Sequence, residues 1–207
     1  MTSVAADQKL LRDYFPHCAW PAGYYGVVPA LAKSLRGGSV VVEIGVAYGY
    51  HALDLLQSMP SWRYNGVDPY QAGYDDADPF SRDVAALFGE TSEQRAMDRL
   101  YEAVRETLRS FGDRAVLHRQ PSVDASRGFA DESADLIFID GDHRYAAVNA
   151  DLAAWWPKLR RGGIFCGDDY LWPDVKKAVD EFVAAGKRQL RLVAKAGSAY
   201  PIWTVQK

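Results

Sequence analysis

The chain alternates between short apolar runs and longer stretches in which apolar residues recur at helical spacing. Several runs consist almost entirely of Val, Ile, Leu or Phe, which is typical of strands that are buried on both faces of a parallel sheet. The runs predict strands at Val40–Ile44, Tyr64–Val67, Ala115–His118, Leu136–Ile139, Ile164–Cys166, Leu190–Ala194 and Ile202–Val205.

Helical periodicity falls between the first six runs, and it predicts helices at Tyr50–Met59, Ser92–Phe111, Val123–Phe129, Tyr145–Leu159 and Asp174–Ala185. Such alternation of strand and helix is typical of a doubly wound α/β fold with a mostly parallel sheet. The last two strands follow each other without a helix between them, so we expect them to form a C-terminal antiparallel hairpin.

Two segments stand outside this pattern. Residues 1–36 contain Trp20, Tyr24 and Tyr25, and we interpret them as an N-terminal cap that borders a substrate. Residues 69–91 contain a run of aspartates and read as a lid loop over a site, because long irregular loops in compact domains are usually functional. The length of 207 residues fits a single domain over residues 1–207.

Composition excludes several classes of function. The net charge of −3 argues against nucleic acid as the main partner, since such proteins usually present a basic face. The longest apolar stretch, Val40–Val46, is too short to span a membrane and contains Glu43. The first residues do not resemble a signal peptide, and Cys18 and Cys166 are too few for a disulfide framework. We therefore expect a cytoplasmic protein.

Two predicted strands end in acidic residues. One segment reads Asp135-Leu-Ile-Phe-Ile-Asp-Gly-Asp-His143, and the other ends in Asp168 and Asp169. The carboxyl ends of parallel strands meet at one edge of a sheet, where Asp140, Asp168 and Asp169 would repel one another unless a cation lay between them. His143 follows Asp140 by three residues, so the pattern predicts a metal site with a base beside it.

The turn after the first strand reads Glu43-Ile-Gly-Val-Ala-Tyr-Gly49. Its glycines allow a tight turn and the close approach of a ligand, and Asp68, at the end of the second strand, is placed to bind ribose hydroxyls. A nicotinamide dinucleotide would need Gly-x-Gly-x-x-Gly, and a P-loop would need Gly-Lys-Ser/Thr. S-adenosylmethionine fits better, because it has no phosphate and its ammonium group suits Glu43. The alternative is a tight structural turn with a structural glutamate.

The ordered set of motifs resembles the class I S-adenosylmethionine-dependent methyltransferases, over most of the chain. Glu43-x-Gly45-x-x-x-Gly49 is similar to their first motif, Gly66-Val-Asp68 to the acidic end of their second strand, and Gln120-Pro-Ser122 to the segment beside the adenine. The resemblance implies a Rossmann-like fold and an S-adenosylmethionine site. The residues that it assigns to the cofactor are Glu43, Gly45, Gly49, His51, Asp68, Gln120, Ser122 and Asp140.

The later acids narrow the resemblance to the metal-dependent O-methyltransferases related to catechol O-methyltransferase, close to the bacterial macrocin type that methylates sugars. It implies that Asp140, Asp168 and Asp169 hold Mg²⁺ or another divalent cation and that His143 is the general base, with Asp142 as the second candidate. The chain departs from the family at His51, where relatives often have a serine that contacts the cofactor.

Methyl transfer to a hydroxyl calls for carboxylates and a histidine on chemical grounds alone, without reference to a family. An aliphatic hydroxyl is protonated at neutral pH, and a hard cation held by carboxylates lowers its pKa. A neutral histidine has a pKa close to working pH and is suited to take the proton. Either residue also has a structural alternative, in which His143 or Asp169 caps a following helix.

Aromatic residues near the same edge suggest an acceptor with a sugar ring, since aromatic faces suit the CH face of a sugar. We expect a sugar or glycoside, first a mannose- or rhamnose-containing glycan, as a small-molecule or oligosaccharide acceptor. The aromatic N-terminal segment makes a homodimer plausible. The candidate substrate contacts are Tyr24, Tyr25, Tyr70, Tyr74, Tyr170 and Trp172.

Three other functions compete with the leading hypothesis of magnesium-assisted methyl transfer to a hydroxyl. The first is a metal-independent methyltransferase that uses His143 alone as base. The second is a module that binds S-adenosylmethionine without catalysis. A nicotinamide-dependent oxidoreductase comes last, because the glycine spacing does not fit.

Overall fold

A computed structural model describes residues 3–14, 26–35, 37, 39–74, 78–195 and 198–207. Trp20, Tyr24, Tyr25 and the acids at positions 75 and 76 lie outside these residues. The helices are α1 (Val4–Tyr14), α2 (Val27–Lys33), α3 (Tyr50–Ser58), α4 (Phe80–Phe88), α5 (Glu93–Leu108), α6 (Ser122–Ser126), α7 (Tyr145–Trp155) and α8 (Pro173–Ala185). The strands are β1 (Val40–Ile44), β2 (Arg63–Val67), β3 (Ala115–His118), β4 (Ala134–Ile139), β5 (Leu159–Gly167), β6 (Leu190–Val193) and β7 (Ile202–Gln206).

The strands form a seven-stranded sheet in the order β3-β2-β1-β4-β5-β7-β6. The first five of these pair in parallel, and β7 lies antiparallel between β5 and β6. The predicted doubly wound, Rossmann-like α/β fold with a C-terminal antiparallel hairpin is therefore confirmed.

The sheet separates two hydrophobic cores, because neighbouring residues of a strand point to opposite faces. In β1, Val41 packs with the residues of α1 to α5, whereas Val42 and Ile44 pack with those of α6, α7 and α8. Helix α1 is tied to α5 by the ion pair between Asp7 and Arg99, at 2.5 Å. Each helix of the described part of the chain is too short or too polar to cross a lipid bilayer.

The structure differs from the predicted elements in several places. Helices α1, α2 and α4 lie in segments for which no helix was predicted, and α4 occupies part of the proposed lid at 69–91. Helix α4 forms because Val84, Ala85 and Phe88 recur on one face, where they are buried. Helix α7 ends at Trp155, before Pro157, and β5 begins at Leu159, earlier than predicted.

Parallel pairing brings the ends of β1, β2, β4 and β5 to one edge of the sheet. Asp68, Asp140 and Asp168 directly follow β2, β4 and β5, and Glu43 is the penultimate residue of β1. Ligands of open α/β sheets bind beyond this edge, where the strand order reverses. The reversal falls between β1 and β4.

Candidate active site

The turn after β1 packs against the start of the loop after β4. Gly45 has a φ of +87°, and a Cβ atom built on it would lie 1.9 Å from the backbone oxygen of Asp140. The Asp140 amide donates to the Ile44 oxygen at 2.7 Å, and the Gly45 amide donates to the Val67 oxygen at 2.9 Å. A side chain at position 45 would therefore separate the two strand ends. Gly49, at φ +76°, begins α3 and faces Val104.

Asp68 fixes the shape of this turn. Its Oδ2 accepts hydrogen bonds from the amides of Val46 and Ala47, both at 3.0 Å, and its Oδ1 accepts from the Tyr70 amide at 2.7 Å. Burial raises the pKa of Asp68 above its usual value, against the opposing effect of these hydrogen bonds. Asp68 thus joins the ends of β1 and β2 while it also borders a cavity.

A cavity of about 280 Å³ opens beyond this edge of the sheet. It brings together many of the residues that the sequence singled out. The predicted site residues that line it are Gly45, Asp68, Tyr74, Ser122, Asp140, Asp142 and His143. The predicted residues that do not line it are Glu43, Gly49, His51, Gln120, Asp168, Asp169, Tyr70, Tyr170 and Trp172.

Glu43 and His51 form a buried pair beneath the turn. Glu43 Oε1 lies 3.1 Å from His51 Nδ1, and Glu43 Oε2 accepts a hydrogen bond from the Tyr64 hydroxyl. Burial favours the neutral His51 ring, but the Glu43 contact and the nearby carboxylates raise its pKa above the usual value. In this structure the Glu43 carboxylate is directed at protein groups, so its proposed contact with the cofactor ammonium stays a prediction.

An acidic cluster lies at the β4 end of the cavity. Asp140, His143 and Asp169 each place a possible ligand atom within 4.8 Å of the others, and His143 Nε2 lies 2.9 Å from Asp169 Oδ2. Burial and the proximity of Asp168 raise the pKa of Asp140 to about 7. For His143, burial alone would lower the pKa, but the Asp169 hydrogen bond and the Asp140 charge raise it to about 9. These raised pKa values mean that the acidic cluster stabilises a positive charge placed within it.

Asp168 has a different environment from the other predicted metal ligands. Its carboxylate forms a buried ion pair with Lys195, a residue that the sequence analysis did not single out. Asp168 Oδ1 also accepts the amide of Asp169 at 2.7 Å. This bond supports Asp169 in a left-handed backbone conformation with φ of +53°, which aspartate tolerates better than most residues. Asp168 thus lies behind the cluster and positions Asp169.

Asp142 is paired with the side chain of a neighbouring arginine. Its Oδ1 lies 3.0 Å from Arg144 Nε and accepts the Arg144 amide at 2.9 Å. The same guanidinium donates to the backbone carbonyl oxygen of Tyr74 at 2.8 Å and so links the loop after β4 to the loop after β2. The structural alternative for His143 is not observed, because α7 begins without a side-chain cap and the Tyr145 amide donates to Asp174 at 3.0 Å.

A comparison of the sequence with protein families identifies this arrangement. Residues 42–170, which include the glycine turn, Asp68 and the acidic cluster, match the model of the methyltransferase domain. The chain belongs to this family. The match confirms the resemblance to class I S-adenosylmethionine-dependent methyltransferases.

Two curated proteins are similar to parts of this methyltransferase domain, and both are named as uncharacterized proteins. A protein of Sinorhizobium fredii is 29% identical over 171 residues, which is 77% of this chain and 17% of that protein. A protein of Acanthamoeba polyphaga mimivirus is 42% identical over 60 residues, or 26% of this chain and 27% of that protein. The chain thus spans less than a third of the length of either relative.

Solved structures share the fold of the methyltransferase domain. A candidate caffeoyl-CoA O-methyltransferase from Staphylococcus aureus has a TM-score of 0.66 at 12% identity and covers 100% of this chain and 93% of its own. A Corynebacterium glutamicum protein has a TM-score of 0.62 at 20% identity, with coverage of 100% and 90%. Cofactor-bound Rv0187 from MTB has a TM-score of 0.62 at 17% identity, with coverage of 100% and 90%.

The predicted substrate aromatics of the methyltransferase domain divide into two groups. Trp172 is 45% exposed and stacks on His143, with ring centroids 5.1 Å apart, while Tyr74 lines the cavity. Tyr70 and Tyr170 are buried, and their hydroxyls donate to the Ala47 oxygen at 2.9 Å and to Asp180 at 2.6 Å. Of the four predicted aromatics that the structure describes, Trp172 thus presents its ring to His143 and Tyr74 presents its side chain to the cavity.

The methyltransferase cavity also contains an acid that sequence reasoning missed. Asp151, on α7, is only 4% exposed and lines the cavity beside Ser122. The Ser122 oxygen accepts the indole N–H of Trp155 at 2.8 Å, and the Ser122 hydroxyl acts against the rise that burial causes in the pKa of Asp151. The sequence contained one signal for this role, because Asp151 is an acidic residue in the middle of a helix whose other residues are mostly apolar.

Proposed function

We propose that the protein transfers the methyl group of S-adenosylmethionine to a hydroxyl oxygen of a small molecule. The observation that carries this proposal is the His143–Asp169 pair, 2.9 Å apart, beside Asp140 at the cavity end next to the glycine turn. A hydroxyl in front of His143 would have a proton acceptor and nearby charge on one side. The donor would occupy the other side, along the turn at Gly45 and the carboxylate of Asp68.

The donor site is supported by its shape and its hydrogen-bonding groups. Gly45 lets the turn pack against the backbone of Asp140, where a side chain would not fit, and leaves no side chain between the turn and a ligand. Asp68 is held by three amide hydrogen bonds, and each carboxylate oxygen has two lone pairs, so it can still accept from a ribose hydroxyl. These residues would place the sulfonium near the switch point between β1 and β4, where His143 and Asp140 lie.

The residues at the acidic cluster fit a divalent cation. Asp140, His143 and Asp169 supply two hard oxygen donors and an imidazole within 4.8 Å, and the raised pKa of Asp140 reflects a negative charge that a cation would stabilise. Magnesium bound there would lower the pKa of a coordinated hydroxyl. In this proposal Asp140 and Asp169 hold the cation, with Asp168 behind them, and His143 accepts the proton of the hydroxyl on the ring nitrogen that is not hydrogen-bonded to Asp169.

A metal-independent reaction is the second candidate, and two contacts favour it. His143 already has a carboxylate partner in Asp169, which would orient the ring and stabilise it after it takes a proton. Lys195 already neutralises Asp168, which the resemblance assigns to the cation. In this version the His143–Asp169 pair acts as the base without further help, and because the pKa of His143 is raised to about 9, the reaction should speed up as the pH rises toward that value.

The acceptor in our proposal is a sugar or glycoside. Trp172 presents an exposed ring that stacks on His143, and Tyr74 lies on the cavity wall. The exposed part of this ring would hold the apolar face of a sugar close to His143. A mannose- or rhamnose-containing glycan is the first acceptor to try. The O-methyltransferase name of one structural neighbour agrees with an oxygen acceptor.

The test is a screen of sugars, glycosides and catechols with S-adenosylmethionine labelled in the methyl group, in Mg²⁺ and in EDTA. Transfer to a glycoside that needs Mg²⁺ supports the main proposal, and full activity in EDTA selects the metal-independent version. Efficient methylation of catechols with no glycoside product would overturn the sugar assignment. Binding of the donor without transfer to any acceptor would indicate a non-catalytic module.

Calorimetry tests the cation independently of activity. We expect Asp140→Ala and Asp169→Ala to weaken Mg²⁺ binding at least tenfold, and Asp168→Ala to weaken it less, because Lys195 is its neighbour. Asp124→Asn is the matched control, since that carboxylate is 52% exposed and pairs with Arg127 at 2.8 Å. Equal Mg²⁺ affinity in all four variants and the wild type would remove the metal from the proposal.

A further inference from the structure

Asp151 presents a buried acid to the cofactor cavity. The indole N–H of Trp155 donates to the Ser122 oxygen at 2.8 Å, and the Ser122 hydroxyl acts against the rise that burial causes in the pKa of Asp151. Both Asp151 and Ser122 are buried and line the cavity. Asp151 is therefore a buried acid at the cavity wall whose carboxylate can accept a hydrogen bond from a ligand.

The place of Asp151 in the fold indicates which part of the ligand it meets. In the strand order β3-β2-β1-β4, the acidic cluster follows β4, the glycine turn follows β1 and Asp68 follows β2. Ser122 follows β3 and begins α6, which packs against α7. A ligand with its sulfonium near the cluster and its ribose at Asp68 would extend its base toward Ser122 and Asp151.

The neighbouring wall of the cavity suits a flat heteroaromatic ring. Val123, Ala147 and Ala150 line it with small apolar side chains, and Asp151 is the acid on this wall. Gln120, which the resemblance places beside the adenine, does not line the cavity. A buried carboxylate is costly unless a donor meets it, so the group opposite Asp151 should carry N–H bonds.

We propose that Asp151 accepts a hydrogen bond from the exocyclic amino group of the cofactor's adenine, and that it makes the site selective for adenosyl over hypoxanthine ligands. This inference rests on the proposed S-adenosylmethionine site. Adenine presents two N–H bonds on its amino group, whereas hypoxanthine carries a carbonyl oxygen there. An oxygen opposite the Asp151 carboxylate would lose the hydrogen bond and meet like charge.

The test compares two demethylated ligands by calorimetry, S-adenosylhomocysteine and S-inosylhomocysteine. We expect the wild-type protein to bind the adenosyl compound at least tenfold more tightly. Asp151→Asn should reduce this ratio to about threefold or less, because an asparagine can turn its oxygen toward the amino group or its amide N–H toward the carbonyl. Asp124→Asn, at an exposed position of α6, should keep the wild-type ratio.

Equal binding of both ligands to the wild-type protein would overturn the inference, and this result does not depend on how well any variant folds. An unchanged ratio in Asp151→Asn would overturn it as well. If S-adenosylhomocysteine does not bind at all, both the inference and the proposed donor site are wrong. If the adenosyl preference depends on Asp151 but no hydroxyl is methylated, the inference holds and the proposed reaction is wrong.

Discussion

Lys195 and Asp168 form an ion pair in which the two side chains are only 1% and 3% exposed. Asp168 directly follows β5, and Lys195 follows β6, on the far side of β7. The pair therefore joins the C-terminal hairpin to the strand end that supports Asp169. Because the charge of Asp168 also raises the pKa of Asp140, the ammonium of Lys195 belongs to the electrostatics of the acidic cluster.

Removal of Lys195 should destabilise the protein. Lys195→Met would leave the buried Asp168 carboxylate without this partner, and breaking a buried pair on one side costs about 3 kcal/mol or more. We expect a loss of that size in the free energy of unfolding from urea denaturation. The double variant Lys195→Met, Asp168→Asn should recover much of it, because the uncompensated charge is then absent.

The control for this prediction is Lys176→Met, which removes an exposed pair with Asp180 on α8. It should change the unfolding curve little, since exposed pairs contribute little to stability. A loss in Lys195→Met no larger than in this control would mean that the buried pair does not stabilise the fold. Mg²⁺ should also raise the melting temperature of Lys195→Met more than that of the wild type if Asp168 then becomes available to the cation.

Gly45→Ala should disrupt the turn that we propose as part of the cofactor site. The residue has a φ of +87°, and an added Cβ would lie 1.9 Å from the Asp140 oxygen, so the ends of β1 and β4 must separate. Gly89→Ala is the matched control, because Gly89 also has a positive φ, of +63°, but nothing lies within 4 Å of an added Cβ. We expect about 1 kcal/mol of destabilisation in the control and clearly more in Gly45→Ala.

Calorimetry with S-adenosylhomocysteine separates the turn from the rest of the fold. Gly45→Ala should lose at least tenfold in affinity, whereas Gly89→Ala should bind as the wild type does. Similar affinity and similar unfolding free energy in both variants would show that the close contact at Gly45 is not needed.

Asp151 should make stability depend on pH. Burial raises its pKa to about 7, whereas an aspartate in the unfolded chain has a pKa of about 4. The native state therefore binds the proton more tightly, and the free energy of unfolding falls as the pH rises from about 4 to about 7, by up to about 1.4 kcal/mol per pH unit. Asp151→Asn cannot lose a proton and should remove this fall.

We expect Asp151→Asn to be more stable than the wild type at pH 8 by about 2 kcal/mol or more, and the difference to shrink toward pH 4. Urea denaturation at several pH values measures both statements. The exposed Asp124→Asn should follow the wild-type curve throughout. A constant difference between Asp151→Asn and the wild type at every pH would contradict the assignment of the effect to Asp151 ionisation.

Strands β1 and β4 could be predicted because each is almost entirely a short apolar run, and both are buried on both faces as their composition requires. Helix α4 could not, because its nine residues follow an acidic loop and make too few turns for a clear period. Strand β5 begins with Leu159-Arg-Arg-Gly-Gly, whose charges and glycines hide a strand that only pairing with β4 and β7 defines.

The site residues that could be predicted from the sequence are those that lie just after the end of a strand. Asp68, Asp140 and His143 reach the cavity for that reason. Lys195 and Asp151 could not be predicted, because their roles depend on which elements pack together. Lys195 lies two residues after β6, and its role can be recognised only once the sheet order brings it to Asp168. The role of Asp151 can be recognised only once α6, which carries Ser122, packs against α7.

Trp172 provides the last prediction, which concerns the acceptor. Its exposed ring stacks on His143 at 5.1 Å, so a sugar that packs on it would lie next to the proposed base. Trp172→Ala should lower kcat/KM for the acceptor at least tenfold, while the Kd of S-adenosylhomocysteine stays unchanged. Trp172→Phe should retain part of the activity, because a ring remains.

Leu171→Ala is the control for Trp172, since Leu171 is the adjacent residue and is 49% exposed. It should leave kcat/KM close to the wild-type value, which would assign the effect to the aromatic face rather than to general loss of apolar surface. If Trp172→Ala lowers kcat alone and leaves the acceptor KM unchanged, the ring orients His143 without binding the sugar. Equal losses of kcat/KM in Leu171→Ala and Trp172→Ala would mean that the aromatic ring of Trp172 does not bind the sugar, because both side chains would then act only through their apolar area.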